Sequence, residues 1–320
     1  YYRGEAARYF GREAAVTDYL IKWLGFWDVI SRDYERALKP ATQAYLDAFA
    51  AGFNAFAEQH PERVNLDVLP VTPQDVIAAH MFRHLLFYGF EQPITALRAE
   101  TRQFEISDAP QLPHTAITLG SNATAIAPSR SRDGSTLLMI NSHQPLTGPV
   151  SWYEAHLQSG EGLNVMGGLF IGAPALGVGF SEHHGWGATV NQPDLVDIFV
   201  LDIDPEDDNR YRVDGDWLAL EEFDIPIKVR LWGWLPWTVK EKGYRSIHGP
   251  VMKTDHGTYA VRYAGMNEIR QVEQWLAMSA ARSFEEWRAA LALQHIASFN
   301  FVYANADGVI HFVHNAMMPK

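Results

Sequence analysis

The hydrophobic period of this chain changes once, and that change most restricts what it can fold into. In the first hundred residues large apolar side chains recur at three- and four-residue spacing, as at Tyr45, Phe49, Phe53 and Phe56, which marks one face of a helix. Thr72, Pro73 and Asp75 form a helix start: the threonine can cap, the proline suits the first helical position, and the aspartate favours the first turn. That start predicts a helix carrying Val76 to Tyr88, with Phe87, Tyr88 and Phe90 as core residues. After Ser121 the texture becomes short β-prone runs separated by turns. Asp133-Gly134 links a run from Ser121 to Ala127 with one from Thr136 to Asn141, and Asp307-Gly308 links the alternating Phe299, Phe301 and Tyr303 with Val309 to Val313. Between these regions Ser283 and Glu286 have capping-box spacing ahead of Trp287 and Leu291, so a helix is inserted there. The stretch from Glu91 to Thr118, broken by Pro93, Pro110 and Pro113, reads as a connector. Helices, then strands, then helices again predict an α+β fold or a layered αββα sandwich.

Composition excludes several classes. With 47% hydrophobic and 20% charged residues the chain can bury a large core. The 26 basic against 38 acidic residues leave a net charge of -12 and no cluster that would track phosphates, so nucleic acid is not an expected partner. There are no cysteines, which removes disulfides, thiolate metal sites and a cysteine nucleophile. No apolar run reaches the roughly 18 residues of a membrane span. The sequence starts at Tyr1 without Met and stops just after a strand-like segment, so it reads as a piece of a longer precursor.

Common catalytic signatures are missing: there is no G-x-S-x-G elbow, no P-loop and no H-E-x-x-H. His183 and His184 are adjacent and lack the i, i+4 spacing of two metal ligands on one helix face, so they read as surface or core histidines. One local constellation stands out. Leu119-Gly120-Ser121-Asn122 opens a strand, Asn141-Ser142-His143 ends the next, and a hairpin brings the two ends near each other.

These residues, with Gly172-Ala173-Pro174, Trp186-Gly187-Ala188-Thr189-Val190 and Asp194-Leu195-Val196-Asp197-Ile198-Phe199, resemble the penicillin acylase family of N-terminal-nucleophile (Ntn) hydrolases, in the same order and at matching spacing. Ile247-His248-Gly249-Pro250 and Phe299-Asn300-Phe301-Val302-Tyr303-Ala304 resemble later landmarks of the same catalytic subunit, so the likeness runs from Ser121 to Lys320. The family includes penicillin, cephalosporin and acyl-homoserine-lactone acylases. The resemblance implies a helical small-subunit part over residues 1–95, a connector or spacer over 96–120, and the start of the catalytic subunit over 121–320. It also implies self-cleavage between Gly120 and Ser121. A serine hydroxyl is a weak nucleophile until a base takes its proton, and a freed α-amine, with a reference pKa of about 7.7 to 8.0, is placed to do so.

By position, His143 matches the residue that contacts the serine hydroxyl in the cephalosporin and homoserine-lactone branches, and Val190 matches a backbone N–H of the oxyanion hole. The second oxyanion donor is an asparagine that lies beyond Lys320 in the family, and neither Asn191 nor Asn300 matches it. Asp194 and Asp197, with the Val196 carbonyl, match positions that hold a structural calcium in some members; no cofactor is required for catalysis. Glutaryl-accepting members carry an arginine where this chain has Gly177, which disfavours a carboxylated acyl group. Gln144 stands where many members place an aromatic, and Leu146, Trp152 and Phe87 are expected to supply apolar lining.

The expectation is therefore an amidohydrolase acting on a small N-acyl amide, with an acyl-homoserine lactone as leading candidate and a penicillin- or cephalosporin-type substrate as alternative. Its partner would be its own cleaved small subunit, and the family resemblance implies export to the periplasm. Two other readings compete: an unprocessed homologue that only binds, and a carbohydrate or partner surface built on Trp232, Trp234 and Trp237. For the tryptophans a packed hairpin is the plainer reading.

Overall fold

A computed structural model describes residues 1–101, 120–148, 150–232 and 235–318. Among the described residues six α-helices precede Ser121: α1 (Ala7–Phe10), α2 (Ala15–Leu24), α3 (Phe26–Ala37), α4 (Pro40–Gln59), α5 (Pro73–Leu85) and α6 (Glu91–Leu97). Then come strands β1 (Gly120–Ile126), β2 (Leu137–His143), β3 (Trp152–Gln158), β4 (Asn164–Phe170), β5 (Val178–Ser181), β6 (His184–Thr189), β7 (Val196–Val200), β8 (Ile203–Asp204), β9 (Asp207–Val213), β10 (Asp216–Ala219), β11 (Glu221–Leu231), β12 (Leu235–Ser246), β13 (Gly249–Thr254) and β14 (Gly257–Tyr263). Helices α7 (Gln271–Ala280) and α8 (Phe284–Leu291) and strands β15 (Ser298–Asn305) and β16 (Ile310–Ala316) complete the α+β order expected from the sequence. Most of the expected connector, residues 102–119, and Trp234 lie outside the described residues.

The chain divides into two compact units, each drawing on residues from both sides of Ser121. One comprises Tyr1–Ser31, the described part of Gly89–Ala116, and Leu195–Met266. Its five-stranded antiparallel sheet has the order β11-β12-β13-β14-β7, and a second sheet has the order β10-β9-β8. Strand β11 buries Ile225, Ile227 and Val229 and exposes Asp224, Pro226, Lys228 and Arg230 alternating with them, the period-2 pattern of a sheet with one covered face. Helix α2 ends at Gly25, whose φ of 72° suits a residue without Cβ, and its Trp23 indole donates to the Val251 carbonyl at 2.9 Å. The packed hairpin expected around the tryptophans is not seen at the two that are described: Trp232 is 80% exposed and Trp237 58%.

The other unit, Arg32–Tyr88, the described part of Ile117–Asp194, and Asn267–Lys320, is layered. At its centre is a six-stranded antiparallel sheet of order β16-β15-β6-β5-β4-β3. On one face Trp186, Phe301 and Tyr303 from the sheet pack with Trp275, Met278 and Trp287 from α7 and α8. A fully buried side chain such as Phe301 contributes roughly 1.5–3 kcal/mol relative to exposure. The other face carries the β1–β2 hairpin. It approaches closely because alternate residues of β6 there are Gly185 and Gly187: a Cβ on Gly187 would lie 3.0 Å from Ile140 and 3.2 Å from Ala123.

The local signals are largely realised. Thr72 caps α5 in a full capping box with Asp75, although the helix ends at Leu85 rather than Tyr88. Both Asp-Gly turns join antiparallel strands. Ser283 caps α8, but Glu286 turns its carboxylate to the Arg282 N–H, so only half of that box forms. Two readings fail. Helix α4 buries Thr42, Leu46, Ala50 and Ala57, while Phe53 and Phe56 are 42% and 45% exposed; the small residues permit closer packing than the aromatic stripe does. Helix α6 occupies the start of the stretch read as a connector, with Pro93 tolerated in its first turn, where an N–H has no helical partner anyway.

Candidate active site

The β1–β2 hairpin fixes the geometry around Ser121. Its register pairs Gly120 with His143, Ser121 with Ser142 and Asn122 with Asn141. Because side chains alternate across a strand, Ser121, Ala123, Ile140 and Ser142 share the face that meets the sheet, while Asn122, Asn141 and His143 share the opposite one. Burial follows this parity, with the first group half-buried and the second exposed.

The inner face opens into a cavity lined by Ser121, Ser142, Gln144, Trp152, Gly177, Val190, Trp275 and the rings of Phe87, Phe170 and Phe299. It has about 20 Å³ of free space, room for about one water. Of the residues the sequence nominated, the structure brings Ser121, Val190, Gln144, Trp152 and Phe87 together here. Leu146 is 97% exposed and does not line the cavity, which corrects its assignment to the apolar wall. Trp152 stacks on Phe170 at 4.4 Å between centroids, and its ring fits only because its neighbours are glycines: a Cβ on Gly168 or Gly177 would approach it to 2.9 or 2.8 Å. Two buried polar atoms of the lining, Gln144 Oε1 and Trp152 Nε1, have no hydrogen-bond partner.

The Ser121 hydroxyl donates to the carbonyl of Gly120. His143 is held elsewhere, its Nε2 at 3.0 Å from the Asn122 amide nitrogen and 3.1 Å from that of Asn141. In the continuous chain its ring therefore does not reach the hydroxyl, although its backbone lies directly across from Gly120. The Val190 segment is braced by Asn300, whose amide donates to Thr189 Oγ1 at 3.2 Å and to the Val190 carbonyl at 3.4 Å, while its Oδ1 meets His314 Nδ1 at 2.9 Å. The sequence reading missed Ser142, Phe170, Trp275 and Phe299. Only Ser142 carried a local signal, through the hairpin register.

A second small cavity shares Phe87, Phe170, Gly177, Trp275 and Phe299 with the first, and ends at His80, Arg83, His84 and Gln271. Burial pushes His80 down to about 3, so its ring is neutral at ordinary pH and its Nδ1 donates to the Val76 carbonyl at 3.0 Å. Burial also lowers His84, which is 2.7 Å from Gln271 Oε1.

The arrangement of a helical segment followed by antiparallel sheets is matched by the comparisons. The model of the penicillin amidase family matches residues 1–320. This chain belongs to the penicillin amidase family. An acyl-homoserine lactone acylase of Pseudomonas fluorescens is 26% identical over 99% of this chain and 45% of its own length. The penicillin G acylase of Escherichia coli is 27% identical over 62% of the chain and 23% of its own length. A thermostable penicillin G acylase from Alcaligenes faecalis has a similar structure, with a TM-score of 0.52 and 25% identity over 62% of this chain and 35% of the other. The fold is thus that of an Ntn-hydrolase, and the chain spans less than half the length of the curated relatives it matches.

Among the described residues no three His, Asp or Glu side chains gather as a metal set. Asp194 and Asp197 are exposed and Val196 is half-buried. No described helix is long and apolar enough to cross a membrane.

Proposed function

We propose that this chain is the N-terminal part of a self-processing amidohydrolase whose nucleophile is Ser121 and whose substrate is an N-acyl amide. The observation that carries this reading is the Ser121 hydroxyl on the carbonyl of Gly120, beside a cavity with five aromatic residues in its lining, in a member of the penicillin amidase family. The hydroxyl oxygen attacks the Gly120 carbonyl carbon, the C–N bond breaks, and the nitrogen takes the proton, leaving an ester. Water then releases the Gly120 carboxylate and a chain that begins with the Ser121 amine. That amine acts as the base: it takes the hydroxyl proton as the oxygen attacks the substrate carbonyl, and returns a proton to the leaving amine. A second water hydrolyses the acyl-enzyme. The Val190 N–H would hold the developing oxyanion, a role typically worth about 3 to 4 kcal/mol.

Gly177 leaves no positive group at the position that receives a carboxylated acyl tail, and the wall of Phe87, Phe170 and Phe299 beside Ser121 supports an uncharged acyl group, while Arg83, at the end of the second cavity, donates to the Ile171 carbonyl. An acyl-homoserine lactone is the leading candidate because acylases of that name match almost the whole chain. Calcium on Asp194, Asp197 and the Val196 carbonyl would need further oxygen ligands. Export to the periplasm follows from the family resemblance.

Expression of the complete gene should yield two chains, the larger starting at Ser121 by N-terminal sequencing, and the product should release amine from N-acyl amides. An active but uncut polypeptide would sink the mechanism. Cleavage removes Gly120 from across His143 and frees that ring to turn toward the new amine. His143→Ala should therefore lower kcat by about 100-fold, the lower end of the range for lost acid–base assistance, with the two chains still formed. An unchanged kcat would leave His143 a role only in bridging Asn122 and Asn141.

A further inference from the structure

The cavity beside Ser121 combines three properties. It is walled largely by aromatic rings, its free space admits about one oxygen-sized group, and two of its lining residues carry buried atoms that no described group meets, the acceptor Gln144 Oε1 and the donor Trp152 Nε1. Burying such atoms without partners is unfavourable, and an all-methylene acyl chain would leave both desolvated and unpaired. A hydroxyl satisfies both at once, since its O–H donates and its oxygen accepts. A keto oxygen can only accept and would serve Trp152 alone. A carboxylate would accept from Trp152 but meet the lone pairs of Gln144.

We infer that the acyl group hydrolysed here carries a hydroxyl close to its carbonyl, received by Gln144 and Trp152, and that these two side chains set acyl specificity. This rests on the proposed acylase reading and narrows it. The hydroxyl sits near the reacting carbonyl because the same cavity contains Ser121. The rest of the acyl group runs along Phe87, Phe170 and Phe299, which line both cavities. Trp152 is fixed for this task by its stack on Phe170 and by the space that Gly168 and Gly177 leave around its ring.

The test uses the complete, processed gene product and four amides of one amine: decanoyl, 2-hydroxydecanoyl, 3-hydroxydecanoyl and 3-oxodecanoyl. One of the hydroxylated amides should exceed decanoyl by about tenfold or more in kcat/KM, as a site with unmet hydrogen-bonding groups discriminates against the analogue lacking them. The 3-oxo amide should fall between. Gln144→Leu and Trp152→Phe should each bring the hydroxyl preference to within about twofold, and Gln144→Asn should retain part of it. Equal or better turnover of decanoyl by the unaltered enzyme overturns this inference while leaving the acylase reading standing. A preference that survives Gln144→Leu overturns it as well. Release from none of the four overturns both.

Discussion

Ser121→Ala should leave the complete gene product as one uncut chain with no amide hydrolysis above background, a loss of at least about 10⁴-fold, the scale seen when a nucleophile is removed. Both failures have one origin, because the oxygen that attacks the Gly120 carbonyl in maturation is the oxygen that attacks the substrate afterwards. In the uncut chain the Ser121 nitrogen is an amide and cannot serve as a base, so blocked processing alone abolishes catalysis. Ser121→Cys separates the two steps. A thiol can attack the neighbouring carbonyl, so part of the protein should process, but the changed geometry and leaving group should make amide turnover slow. N-terminal sequencing and amine release report the two steps independently. Normal turnover by correctly folded Ser121→Ala would remove Ser121 from the mechanism.

Gly187→Val should have the second largest effect, and on a residue that touches no substrate. The new Cβ would stand 3.0 Å from Ile140 and 3.2 Å from Ala123 before its two methyl groups are added. The hairpin must then lift from the sheet. Overpacking of this kind costs typically about 1–3 kcal/mol. The functional loss should exceed what that cost implies, because Ser121 rides on the hairpin while Val190 follows directly on strand β6. A shift of about 1 Å between reacting groups can cost on the order of 10²-fold in rate. Thermal unfolding and kcat/KM should both fall, and Ile140→Ala in the same protein should recover part of each by restoring space, a non-additive pair. Wild-type kinetics in Gly187→Val would show that the hairpin–sheet spacing does not position Ser121.

Much of this fold was legible because its signals are local. A cap at Thr72, an Asp-Gly turn and an alternating strand each act within a few residues, so the α+β order and the hairpin opened by Ser121 follow from the sequence. The hairpin register, once read, also places Ser142 opposite Ser121. The burial of α4 was not legible, since Thr42, Leu46 and Ala50 are buried only because of what packs on that side, while Phe53 and Phe56 of the aromatic stripe face outward. His143 shows the same limit. Its place at a strand end is a matter of sequence, but the face it occupies follows from pairing parity, where a slip of one residue would move its ring to the other side.

The candidate nucleophile, a serine after a glycine at the head of a strand, lies in contiguous residues and is legible in the sequence. The cavity beside Ser121 was decided by tertiary structure. Phe170, Trp275 and Phe299 come from two separate strands and a helix, and nothing in their own neighbourhoods distinguishes them from core residues. They become a site because two glycines of β6 let a hairpin close on the sheet, and because that closure leaves Gln144 and Trp152 with hydrogen-bonding capacity that no part of the described chain satisfies.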